Sequence, residues 1–255
     1  MANSFCYNIS MEPRPILRFQ LDIEYDQWTC REFLTFKEGD IFSASILKDH
    51  PALISCEKME SEKRNEFITS YVEKYSEEHK QELASTLEQA KNGWLKVEDA
   101  FFKETDKVFS KNPKEETIYI YDWPKGKYLC YLSIFNCNPR FIKEKEFQAY
   151  YKHPLGINFV CIHEMLHFIF YDYLEKNFSE QYKTLGKRNL WKLSEIFNDV
   201  ILRIDEFISL TKQKDPSIYA QSREELVIYQ RMWEEAKENI DTFIKNYLNK
   251  IYYDI

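Results

Sequence analysis

Between residues 17 and 25 apolar and polar side chains alternate one for one: Leu17, Phe19, Leu21, Ile23 and Tyr25 against Arg18, Gln20, Asp22 and Glu24. That period predicts a half-buried strand, with Pro13 and Pro15 standing just before it, where they interrupt no ladder. From about Lys58 the spacing becomes helical. A second helix carries Leu83, Leu87, Ala90, Trp94, Val97, Phe101 and Val108 on one stripe, with Gly93 inside it. Residues 117–135 read as two β-rich runs around Trp123-Pro124-Lys125-Gly126, a type I turn signature, and so predict a hairpin whose later strand covers about 127–135. Asn138-Pro139 ends that strand. A helix follows Pro154 and Gly156, with Asn158 as its candidate cap, and runs to about Glu175. Residues 189–210 and 222–251 predict two more long helices, while residues 28–55 fit neither period. The sum is an α+β chain, mainly helical with a small mixed sheet.

The helix after Gly156 is apolar nearly all round. Phe159, Ile162, Leu166, Ile169 and Tyr173 form one stripe, and Cys161, Met165 and Phe168 cover the opposite side. Within it lies C-I-H-E-M-L-H-F-I-F, which places His163, Glu164 and His167 on an element that reads as buried. Buried polar groups need partners. Residues i and i+4 share a helix face, so both imidazoles reach one ion, while Glu164 projects roughly 100° round, beside that ion. This is the H-E-x-x-H zinc pattern, in which the acid works on water.

Composition narrows the partners. The 255 residues carry a formal net charge of −7, and 16% are aromatic, which fits a globular chain with an aromatic core and argues against a phosphate-binding surface. No nucleic-acid partner is expected. The N-terminus has no basic start followed by an apolar run, and no segment approaches a membrane span, so a soluble, cytoplasmic protein without membrane contact is expected. Six cysteines without a C-x-x-C are expected to be free, buried thiols. Nothing in the pattern sets an oligomeric state.

A catalytic zinc takes three protein ligands and one open position. His50, His79 and His153 all precede the motif and no cysteine follows Cys161, so a downstream third ligand has to be a carboxylate. The candidates include Asp172, Glu175, Glu180, Glu195 and Asp199. Asp172 and Glu175 ride the motif helix away from the metal face. Glu195 and Asp199 stand four apart on a later, largely apolar helix, where buried acids need partners.

His163-Glu164-Met165-Leu166-His167 followed by Glu195-Ile196-Phe197-Asn198-Asp199 resembles the H-E-x-x-H and E-x-x-x-D pair of the gluzincins, the thermolysin-like zinc metallopeptidases, in their compact minimal form. The resemblance spans about residues 117–210. It implies a zincin-like fold with an active-site helix and a following glutamate helix. It implies one Zn2+ per chain on His163, His167 and Glu195, with Glu164 as general base and Asp199 holding a ligand imidazole through its other nitrogen. It divides the chain into residues 1–56, an N-terminal β-containing segment, and residues 57–255, the metallopeptidase domain, in one compact unit. The implied activity is hydrolysis of a peptide or protein substrate lying antiparallel to an edge strand at about residues 128–135. The alternative is a zinc-binding regulatory or interaction protein on the same fold with little or no proteolysis. Asn136 and Asn138 are candidates for the family's edge-strand asparagine, and Tyr219, Tyr229 and Arg203 for an oxyanion donor. His153 reads as a solvated loop residue near the cleft.

Overall fold

The computed structural model describes residues 14–37, 39–110, 121–215 and 223–253. The fold is α+β: eleven helices and a short 3-10 helix surround one four-stranded mixed sheet among the described residues. The sheet order is β1-β2-β4-β3, with β1 Leu17–Leu21, β2 Tyr128–Ser133, β3 Arg140–Phe141 and β4 Glu146–Tyr150. β2 pairs in parallel with both β1 and β4, and β3 closes one edge antiparallel to β4.

Three expectations change here. The alternation that begins at Leu17 stops being a strand at Leu21, because Asp22 accepts a hydrogen bond from Tyr25 N (2.9 Å) and caps a helix, α1 Ile23–Phe33. Ile23 and Tyr25 are therefore helical. The hairpin is absent among the described residues: both neighbours of β2 are parallel, so β2 takes its partners from distant parts of the chain. Of the proposed earlier strand before Trp123, residues 117–120 lie outside the described residues, and Tyr121 and Asp122 are not in a strand. β2 is also internal, so residues 128–135 offer no free strand edge; the edge strands are β1 and β3.

Residues 28–55 fold into the rest of α1, α2 Ile41–Asp49 and most of the 3-10 helix Pro51–Lys58. The long stripe ending at Val108 is divided between α4 Lys80–Leu95 and α5 Glu98–Val108, after α3 Ser61–Glu78. The link at Lys96 and Val97 keeps near-helical dihedrals, so the apolar period survives the break, and the Trp94 and Phe101 rings meet across it at 5.4 Å. The two C-terminal helical stretches are divided as well. α8 Gly186–Ile201 is followed by α9 Asp205–Thr211, and α10 Arg223–Glu235 by α11 Ile240–Tyr253. Lys237 and Glu238 adopt left-handed dihedrals, and Asn239 then accepts from Thr242 N (3.0 Å) to open α11.

The motif helix, α6 Ile157–Asn177, is preceded by Gly156 at φ +83°, a conformation suited to glycine. Asn158 therefore lies inside the helix and does not cap it. Its side chain faces Gly93 of α4, where an added Cβ would sit 2.9 Å from Asn158 Oδ1, so Gly93 allows α4 and α6 to approach. α6 covers one face of the sheet, with Phe168 against Tyr128 (5.5 Å) and Phe147 (6.2 Å). α1 covers the other face, with Tyr25 edge-on to Tyr131 at 4.8 Å. The short α7 Ser179–Thr184 leads to α8, which lies along α6 with Phe170 and Phe197 stacked at 4.3 Å. Trp233 and Phe243 of α10 and α11 close over Phe197. β1, from the first 56 residues, is thus paired directly into the sheet that carries the motif helix. No helix among the described residues is long and apolar enough to cross a membrane.

Candidate metal centre

His163, Glu164 and His167 lie on α6 where it meets α8, and Glu195 lies on α8; all four are at most 4% exposed. The i, i+4 spacing brings His163 Nε2 and His167 Nε2 to 2.9 Å. Glu195 completes the triangle, with Oε2 3.4 Å from His163 Nε2 and Oε1 3.4 Å from His167 Nε2. A tetrahedral zinc with bonds of 2.0–2.1 Å would set its ligand atoms about 3.3 Å apart. The donor set and its spacing therefore fit such an ion. Glu195 Oε2 has no hydrogen-bond partner, which is the condition of a ligand oxygen and a costly one for a merely structural carboxylate. His163, His167 and Glu195 form the one potential metal-holding cluster of this kind among the described residues.

α8 is held in register by Asn198. Its Nδ2 donates to the His163 backbone carbonyl at 2.8 Å, fixing Glu195, one turn earlier, opposite the two imidazoles. Glu164 stands to one side, with Oε1 4.0 Å from His163 Nε2. Burial raises the Glu164 carboxyl above its ordinary value, although Arg140 and His163 oppose the shift. Burial, reinforced by Arg140, pushes His167 down to about 3, so its imidazole is neutral, as a ligand must be.

Asp199 does not take the position expected of it. Arg203, one turn on, donates to the Asp199 backbone carbonyl (2.7 Å) and to its carboxylate (3.4 Å), and also pairs with Asp215. His163 Nδ1 and His167 Nδ1 have no hydrogen-bond partner. Asp199 therefore makes no hydrogen bond to either imidazole, and its carboxylate is held by Arg203. Asp172 and Glu175 are likewise outside the cluster; Asp172 pairs with Lys176 and accepts from Tyr121.

The residue that sequence reasoning did not single out is Arg140. On β3 it stands opposite Phe147, whose ring packs on α6, so its side chain leaves the sheet toward the motif helix. Nη2 reaches Glu195 Oε1 at 2.7 Å and Nη1 reaches Glu164 Oε2 at 3.3 Å, with the side chain only 11% exposed. A signal was present in composition: Arg140 is the one arginine among lysines 125, 127, 143, 145 and 152, and arginine suits a site where two carboxylates must be bridged. Tyr171, one turn after His167, approaches the same guanidinium and receives a hydrogen bond from Ser194 Oγ at 3.3 Å.

A groove of about 560 Å³ opens beside the cluster, lined by Arg140, Phe141, Tyr171, Trp28, Trp191 and Phe42 among others. It runs along β3, the strand edge. Of the other residues proposed near the cleft, Asn138 lines this groove and the other described ones do not. Asn138 accepts from Tyr150 N at 2.8 Å, which ties the β3 approach to β4. Tyr229 is core, packed against Tyr247, Arg203 is committed to acids, and Tyr219 lies outside the described residues. His153 is half-buried rather than solvated. It stacks on Phe159, which stacks on His163, and burial pushes it down to about 4. The five described cysteines are free and buried, with Cys130 of β2 and Cys161 of the motif helix 4.0 Å apart. No protein-family model, curated protein or solved structure matches this chain.

Proposed function

We propose that the chain is a zinc-dependent metallopeptidase of gluzincin type, with an active-site helix, α6, and a glutamate helix, α8. The observation that carries this reading is the buried triangle of His163 Nε2, His167 Nε2 and the Glu195 carboxylate, with Glu164 beside it and not in it. His163, His167 and Glu195 would hold the ion. Zinc supplies a Lewis acid that makes water more acidic and polarises a carbonyl. Glu164 would accept the proton of the attacking water and deliver it to the leaving nitrogen. The substrate backbone adds to the outer edge of β3, and its side chains enter the groove between Phe141, Tyr171 and Trp191. Apolar walls there keep water away from the reacting carbonyl.

A second reading, a metal-binding regulatory protein, draws on one observation: Arg140 neutralises the same Glu164 that would act as base. Glu164→Gln separates the two. The amide keeps the acid's shape but cannot take a proton, so the variant should retain its metal while peptide cleavage falls at least about 100-fold. Cleavage of a quenched-peptide library by wild type, Glu164→Gln and metal-stripped protein at equal concentration reads this directly. Equal cleavage by the first two would refute the mechanism; metal uptake with no cleavage by wild type would favour the regulatory reading.

A further inference from the structure

We infer that Arg140 is a positioning residue that sets the metal ligand and the base together, an inference resting on the metal-site reading above. The guanidinium divides four carboxylate oxygens into two pairs. Oε1 of Glu195 and Oε2 of Glu164 are held by Arg140 at 2.7 and 3.3 Å. The remaining oxygens are Glu195 Oε2, buried and without a hydrogen-bond partner, and Glu164 Oε1; they lie 3.4 and 4.0 Å from the same atom, His163 Nε2. Each carboxylate is thus tethered by one oxygen and presents the other toward His163 Nε2, while the tethered Glu195 Oε1 also lies 3.4 Å from His167 Nε2. Two acids so close on neighbouring helices would otherwise repel, and each would be free to rotate about its last torsion. A planar fork with several donors can anchor both at once, whereas a lysine ammonium, a point charge on a flexible stem, cannot fix two separate orientations.

The support behind Arg140 is rigid. Its backbone pairs with β4 opposite Phe147, and Gln148 N donates to the Pro139 carbonyl at 2.9 Å, so the residue is tied to the sheet on both sides of its Cα. The sheet edge therefore carries the clamp that orients groups on two helices. The same strand forms the groove wall, through Phe141 and Ile142. A substrate strand on β3 would contact the backbone of the residue whose side chain sets the ligand and the base.

Positioning and simple charge predict opposite signs. If Arg140 acted only as a positive charge near the ion, replacing it would relieve repulsion and tighten metal binding. If it positions Glu195, replacing it loosens a ligand and weakens binding by about 10–100-fold, the usual size for a residue that orients a metal ligand.

The test is zinc affinity by competition with a chromophoric chelator, together with the visible spectrum of the cobalt(II) form, for wild type, Arg140→Met and Arg140→Lys. Arg140→Met should bind zinc about 10–100-fold more weakly and show altered cobalt bands, and Arg140→Lys should recover only part of the loss. Should Arg140→Met fail to fold, Arg140→Lys decides: affinity and cobalt bands equal to wild type would overturn the inference. Unchanged or tighter zinc binding by a folded Arg140→Met would overturn it too. Wild type that takes up neither metal would overturn the metal-site reading itself, and the inference with it.

Discussion

Two buried polar clusters sit on opposite faces of one small sheet, and they solve the same problem differently. Under α1, Asp26 accepts from Ser133 Oγ and Gln148 Nε2 through Oδ1 and from Ile134 N through Oδ2, while Thr29 donates to Gln148 Oε1 at 2.6 Å. None of these four side chains has a buried polar atom without a partner. Between α6 and α8, in contrast, His163 Nδ1, His167 Nδ1 and Glu195 Oε2 have none. Both clusters are almost wholly removed from solvent. The first is closed by protein groups alone and ties α1 to β2 and β4. The second converges His163 Nε2, His167 Nε2 and the Glu195 carboxylate on one point, and leaves Glu195 Oε2 and both Nδ1 atoms without a protein partner, a cost that the first cluster avoids. Burial of polar groups is thus common to scaffold and site, and what separates them is whether the protein itself completes the hydrogen bonding.

If that distinction holds, substitutions in the two clusters should have crossed effects. The largest is expected at Glu195→Ala. Removing the proposed third ligand should drop zinc from the expected one ion per chain to far below one after dialysis, and zinc should no longer raise the melting temperature. Full zinc occupancy in that variant would break the comparison. Asp26→Ala should do the reverse, leaving zinc uptake intact while destabilising the fold by about 1–3 kcal/mol, the penalty of leaving buried partners unsatisfied, as read by urea denaturation.

The satisfied cluster also carries a pH signature. Burial lifts the Asp26 carboxyl from an ordinary 3.8 to about 7, against the hydrogen bonds from Ser133 and Ile134 that pull it down. The folded chain therefore holds this proton more tightly than the unfolded chain does. Its contribution to stability is greatest in acid, declines as pH rises from about 4 toward about 7, and levels off above. Between pH 5.5 and 8 the wild type should lose on the order of 1–2 kcal/mol through this group. Asp26→Asn should show a flatter profile over that window. An identical pH dependence in the two proteins would show that Asp26 does not titrate there.

The smallest effect is expected at Asp199. Because its carboxylate belongs to Arg203 and not to an imidazole, Asp199→Asn should change zinc affinity by less than about 10-fold, below the range typical of residues that orient metal ligands. A larger loss in a competition titration would return Asp199 to the site.

What the sequence disclosed, and what it hid, follows from the range of the interactions. His163, Glu164 and His167 were legible because a helix fixes their geometry within two turns, and the apolar residues around them marked the helix as buried. The carboxylates of α8 stood out for the same reason, as acids on an apolar stripe. Helix breaks were harder to see. The apolar stripe passes through Lys96 and Val97 unbroken, and the left-handed Lys237 and Glu238 are residues with no glycine-like signal. The strand from Leu17 was legible only as far as Asp22, whose capping side chain competes with continued alternation. Sheet order was not legible at all. β2 draws both partners from remote stretches, and a local turn signature at residues 123–126 pointed to a hairpin that the described pairings do not contain. Arg140 depended on that same order, because only the β3–β4 pairing aims it at α6.

The most direct measurement is an anomalous difference map, recorded on either side of the zinc absorption edge, from crystals of the protein grown with zinc. The expected result is one dominant peak per chain, about 2.0–2.1 Å from His163 Nε2, His167 Nε2 and a Glu195 carboxylate oxygen. No peak between those three side chains at saturating zinc, or a peak whose third protein ligand is not Glu195, would contradict the assignment of this cluster as the metal site.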